Sequence, residues 1–223
     1  MSYFRRRRKS YDAVATVFVL ACTGVSIGCA GDTEETAPPA APATATALPS
    51  TGSGHQITGT APTARDGSLT VVLLEPQTAA TAEPPEEPVQ MDQIGQEFLP
   101  PVLLAAVGQP VNFHNGEDVL HNVRVYNVDT KETAFNVSTP IGGTYEHRFD
   151  TAGTYRVSCD IHPQMGASVV VTMAPYATVA SRDGSFVFDN VVPGSYTAIV
   201  HVGAERSRRV VTIDADTTEL TLN

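Results

Sequence analysis

From Ser68 to Ile213 short apolar runs alternate with turn residues: "SLTVVLLE", "PVLLAAV", "PVNFHN", "HNVRVYNV", "TYEHRF", "TYRVSC", "ASVVVTM", "SFVFDNV", "SYTAIVHV" and "RRVVTI". The runs are rich in Val, Tyr, Phe and Thr and are bounded by Gly, Pro and Asp-Gly signals, which predicts strands. No segment keeps its apolar residues at helical spacing. The 17 Gly and 16 Pro suit turns better than helix interiors, and the regular spacing predicts an all-β sandwich. One strand has a clear alternation. In "GTYRVSC", Tyr155, Val157 and Cys159 fall on one face, and Thr154, Arg156 and Ser158 on the other. Cys159 therefore ends a core-facing row, where the strand gives way to a loop.

Two stretches break the pattern. "MSYFRRRRKS" followed by "AVATVFVLACTGVSIG" is a basic segment and an apolar one, ahead of small residues and a cysteine. That order reads as an export signal rather than a folded helix. Cys22 and Cys29 both fit a loose lipoprotein cleavage pattern; Cys29 is the preferred lipidation candidate because the polar linker begins just after it. An ordinary cleaved signal or an uncleaved anchor is the alternative. Residues 1–29 are thus expected to export the chain to the periplasm or cell envelope and tether it to the membrane. Residues 30–54 carry "DTEETAPPAAPATATALPSTGSG", with almost nothing to bury, and predict a disordered linker. A second polar, Pro-rich piece, "QTAATAEPPEEP", lies between predicted strands.

Charge and cysteine content narrow the function. Of the 14 Lys+Arg and 24 Asp+Glu, five basic residues and Asp12 fall in the leader, leaving 9 against 23. A surface this acidic argues against a nucleic-acid partner. With Cys22 and Cys29 in the leader, Cys159 is the one cysteine of the exported part, so no disulfide can form within it. A lone thiol outside the cytoplasm is open to oxidation, and a metal is the simplest protector.

The chemistry gathers after that thiol. "CDIHPQM" places Cys159, His162 and Met165 within one short loop, and His121 in "LHNVRVYN" lies on another predicted strand. Two imidazoles, a thiolate and a thioether form the soft, mixed donor set of a blue copper site. Zinc rarely recruits methionine, and iron–sulfur clusters and c-type haem would need further cysteines.

"HNV", "GTYRVSCDIHPQMGASVVV" and "GQPVNFHNGEDVLHNV" resemble the cupredoxins, the two-residue gap between His162 and Met165 being similar to the amicyanin-type loop. The resemblance implies a Greek-key sandwich over 88–173 that holds one type 1 copper. His121, Cys159 and His162 would be its strong ligands, Met165 the axial one, and Asn122 the residue tying the first histidine's strand to the cysteine loop. Leu120 stands where many relatives have proline.

After Met173 the chain resembles a second family, the carboxypeptidase regulatory-like or transthyretin-like sandwich, on "T…DG.F.F.NV.PG.YT..V" from Thr178 to Val200. About 50 residues make few strands for such a fold. Its missing front is read in "HQITGTAPTARDGSLTVVLLEP", so that 55–78 and 174–223 together form a smaller sandwich into which the copper module is inserted. The alternative is that 55–76 add strands to the cupredoxin edge.

The leading expectation is an exported, membrane-tethered blue copper protein that carries single electrons to an unidentified redox partner and is not an enzyme. The rival from another class is a copper-binding, copper-sensing or structural sandwich. A copper oxidase is disfavoured because Ser158 and Asp160, rather than histidines, flank the thiol.

Overall fold

The computed structural model describes residues 46–47, 53–78, 83–203 and 205–222. The export signal and both lipidation candidates, Cys22 and Cys29, lie outside them. Every regular element among the described residues is a strand, and none of their segments is a helix long and apolar enough to cross a membrane.

The strands fall into three stretches of chain. The first holds β1 (Thr46–Ala47), β2 (His55–Thr60) and β3 (Thr70–Pro76). The second holds β4 (Val89–Ile94), β5 (Glu97–Leu99), β6 (Val102–Ala106), β7 (Pro110–Asn115), β8 (His121–Asn127), β9 (Thr133–Thr139), β10 (Thr144–Arg148), β11 (Gly153–Ser158) and β12 (Gly166–Thr172). The third holds β13 (Tyr176–Val179), β14 (Ser185–Val191), β15 (Gly194–Val202), β16 (Glu205–Ile213) and β17 (Glu219–Thr221).

Strands of the middle stretch pair only with one another, in sheets ordered β10-β7-β4-β5 and β6-β12-β11-β8-β9. The first and third stretches share two further sheets, β1-β13-β3-β15-β16 and β14-β2-β17. Thus β3 lies between β13 and β15, and β2 between β14 and β17. Each pair of sheets encloses its own core. Met91, Phe113, Val123, Val157 and Val169 belong to one, and Ile57, Leu74, Phe188, Tyr196 and Ile213 to the other.

A third apolar cluster joins the two sandwiches. Val71 and Leu73 of β3, Ala177 of β13 and Ile199 of β15 pack with Leu104 of β6 and Val170 of β12. Strands buried on both faces read as continuous apolar runs rather than alternations, which explains "TVVLL" in β3 and "SVVV" in β12. Within the stretch read as a disordered linker, Thr46–Ala47 pair with Ala177 and Tyr176 along the outer edge of β13. Polar composition does not prevent this, because edge pairing uses backbone groups alone.

The two sandwiches use one local device. Tyr155 at the start of β11 donates its hydroxyl to the Thr151 carbonyl (2.8 Å), and Tyr196 at the start of β15 donates to Val192 (2.5 Å). Each bond reaches four residues back, the arrangement of a tyrosine corner, and fixes how the chain enters a central strand. The Asp183-Gly184 signal is a turn as well: Gly184 has φ +87°, and a Cβ there would lie 2.3 Å from the Ala61 carbonyl oxygen.

Candidate metal centre

β8 and β11 are antiparallel neighbours, pairing Val125 with Val157 and Arg124 with Ser158. His121 opens β8 and Cys159 follows the last residue of β11, so both arrive at the same end of the sandwich. The loop 160–165 then returns to β12 through a turn in which the Met165 amide donates to the His162 carbonyl (2.9 Å). Three of the four expected ligands thereby converge. Cys159 Sγ lies 3.9 Å from His121 Nδ1 and 3.8 Å from His162 Nδ1, and the two Nδ1 atoms stand 3.0 Å apart. Cys159 and His121 are buried, and His162 is half-buried at the rim. Met165 is buried in the cluster that contains Cys159.

Donors about 2 Å from a shared metal in a trigonal plane stand about 3.5 Å apart, and the observed triangle brackets that value. Two imidazole nitrogens facing each other beside a thiol also need a proton or a cation between them. The far side of His121 gives a second sign. Its Nε2 is buried with no hydrogen bond, and Glu117 Oε1 lies 3.4 Å away, within ion-pair reach but outside hydrogen-bond geometry. A metal on Nδ1 makes Nε2 the N–H, directed towards a carboxylate, as metal-bound imidazoles commonly are. The residues therefore fit a copper ion.

Asn122 acts as the clasp. Its Oδ1 accepts the Asp160 amide (2.7 Å) and the Cys159 thiol (3.3 Å). Its Nδ2 donates to Asn136 Oδ1 (2.8 Å) and more weakly to Asp160 Oδ2 (3.3 Å). Asp160 also accepts from Asn136 (2.9 Å) and pairs with Arg124 (3.4 Å). The Asn136 bond, with Arg124 assisting, holds the Asp160 carboxyl below its ordinary range, so the loop beside the thiol carries a fixed negative charge at neutral pH.

The sequence reading missed Glu117, Asn136 and Arg124, because β9 brings Asn136 to the site from a mostly exposed strand with no apolar signal. It missed Asn115 as well, whose Nδ2 donates to Val119 and Thr139 carbonyls (2.8 Å each) and whose Oδ1 accepts the Glu117 amide (3.0 Å), shaping the loop before His121. The Asn-Gly pair at 115–116 was the available clue.

A sandwich that gathers two imidazoles and a thiol at one end offers the donor set of a copper site. Residues 87–174 match the family of copper binding proteins described as plastocyanin/azurin, and the three converging residues lie within that span. Copper is thus the metal of this site. A purple cupredoxin from Nitrosopumilus maritimus is similar over 38% of this chain and 99% of its own, with 26% identity and a TM-score of 0.34. Amicyanin from Paracoccus versutus is similar over 44% and 97%, with 24% identity and a TM-score of 0.36. A copper-containing nitrite reductase from Thermus scotoductus is similar over 44% of this chain but 25% of its own, with 28% identity and a TM-score of 0.36. No curated protein matches the chain.

Proposed function

We propose that the chain is an exported, membrane-tethered electron carrier in which His121, Cys159 and His162 would hold one type 1 copper ion and Met165 would supply a weaker fourth donor. The observation that carries this reading is the convergence of two Nδ1 atoms and a thiol sulfur at one end of a sandwich core. Copper bound there supplies a one-electron couple. The chain's own residues make exchange fast. His121 and Cys159 stand at the ends of paired strands, and the Asn122 clasp fixes the loop, so the donors move little when the charge changes. Burial of Cys159 and His121 keeps water off the sulfur.

Electrons enter and leave through His162, whose ring reaches the rim. Ile94 at the end of β4 and Leu120, Ile141 and Ile161 on loops are exposed at this end, an apolar border suited to brief docking with a redox partner. Residues 55–78 and 174–223 are assigned to a transthyretin-like sandwich into which the copper module is inserted. The pairing of β3 with β13 and β15, and of β2 with β14 and β17, supports that assignment.

Voltammetry of the copper-loaded protein tests the function. A reversible one-electron wave with rapid exchange is the expected result. A protein that binds copper tightly but gives no reversible wave would be a copper-binding module and not a carrier.

A further inference from the structure

A groove of about 530 Å3 runs along the seam between the two sandwiches, within the range of small-molecule sites. Val102 and Val170 give it an apolar wall, and Arg156, Arg182 and His201 line it from three different strands or turns. Ion pairs engage Arg124, Arg148, Arg206 and Arg208. The guanidinium groups of Arg156 and Arg182 have no ion pair or hydrogen bond among the described residues, as is true of Arg65 and Arg209, which do not line the groove. Asp66, the one carboxylate on the lining, is turned into its own loop and accepts the Ser68 amide (3.0 Å). Beyond the leader this chain has 23 acidic residues against 9 basic ones, and two of those nine face this one hollow beside a single carboxylate.

The absence of a side chain at Gly166 leaves room for one of them. Gly166 lies beneath Arg156, and a Cβ at Gly166 would stand 2.4 Å from Nη2 and 3.1 Å from Cζ of that guanidinium. Burial, with Arg206 nearby, holds the His201 pKa down at about 4. At neutral pH its ring is uncharged and available for hydrogen bonding.

We propose that this groove binds a small organic anion, a carboxylate on a compact apolar body, with its head on Arg156 and Arg182 and its body against Val102 and Val170. Guanidinium groups pair with carboxylates through directed, often bidentate hydrogen bonds, and the valine wall accounts for the body. The site needs no metal, so it stands apart from the electron-carrier reading.

Benzoate is the probe, titrated into the full chain with and without copper while amide shifts are followed by NMR, with benzamide as the uncharged control. Saturable benzoate binding is expected in both forms, with shifts at Val102 and Val170 and none from benzamide. Arg156→Gln and Arg182→Gln should each weaken binding about tenfold or more. Gly166→Ala, which displaces the Arg156 guanidinium, should weaken it as well. Arg209→Gln, on the exposed strand β16, should leave it unchanged. Non-saturable binding, equal affinity in the Arg156 and Arg182 variants, or an equal loss in the Arg209 variant would overturn the site. A sound copper couple with no benzoate binding would remove only this inference.

Discussion

At the scale of single residues, the roles proposed for His121, Cys159, His162 and Met165 differ and so should their variants. Cys159→Ser should abolish the intense visible band while copper still binds through His121 and His162, because the colour is charge transfer from sulfur; absorption and metal content measured together decide this. Met165→Leu should keep the colour and raise the reduction potential, since a thioether stabilises Cu(II) more than an aliphatic group does. A titrating residue away from the metal gives another test. The His201 ring is held at about 4 from an ordinary 6.5. Below pH 6.5 the unfolded chain takes up its proton and the folded chain does not until about 4, so this group lowers stability as pH falls through that window. Denaturant midpoints should therefore depend less on pH between 6.5 and 4 in His201→Gln. The cluster of His121, Cys159 and His162 was legible in the sequence because metal chemistry restricts residue type and spacing. Their supports were not: Glu117, Asn136 and Arg124 are ordinary polar residues until the strands bring them to the site.

The loop 159–165 and the strands around it form the next scale. If partners dock on the apolar border proposed at this end, Pro163→Glu should slow electron exchange with an acidic or apolar partner and leave the visible spectrum nearly intact. Stopped-flow reduction of parent and variant measures this, and equal rates with every partner tried would place the exit elsewhere. The apolar runs located ten strands of the described residues and missed β1, β2, β4, β5, β9, β13 and β17. In β4 the inward row is Met91 and Gln93, and Gln93 is fully buried, donating to the His114 carbonyl (3.2 Å) and accepting the Thr139 hydroxyl (3.1 Å). A core position filled by a satisfied glutamine breaks the apolar alternation that marks a strand. Part of the "QTAATAEPPEEP" piece is anchored too. Gln109 donates to the Glu87 carbonyl (3.0 Å), and Arg148 pairs with Glu86 (3.2 Å). Its acidic, Pro-rich composition hid these contacts.

For the whole molecule, the seam decides how the parts depend on each other. Residues 174–223 alone lack β2 and β3, so they should be unfolded by circular dichroism, whereas 55–78 fused to 174–223 through a short linker should fold without copper. Residues 86–174 contain His121, Asn122, Cys159, His162 and Met165 and should still bind copper. Cutting them out exposes Leu104 and Val170, so Leu104→Ala should cost about 2–5 kcal/mol in the full chain and much less in the fragment. Equal losses in both would mean that the seam contributes little. The double burial of β3 was present in "TVVLL", but a continuous apolar run does not say which two faces cover it. The optical and EPR spectrum of the full chain loaded with Cu(II) decides the nature of the metal site. A blue copper centre at Cys159 gives an intense visible thiolate-to-copper band with narrow copper hyperfine splitting, and a pale, wide-split spectrum at full copper loading would rule it out.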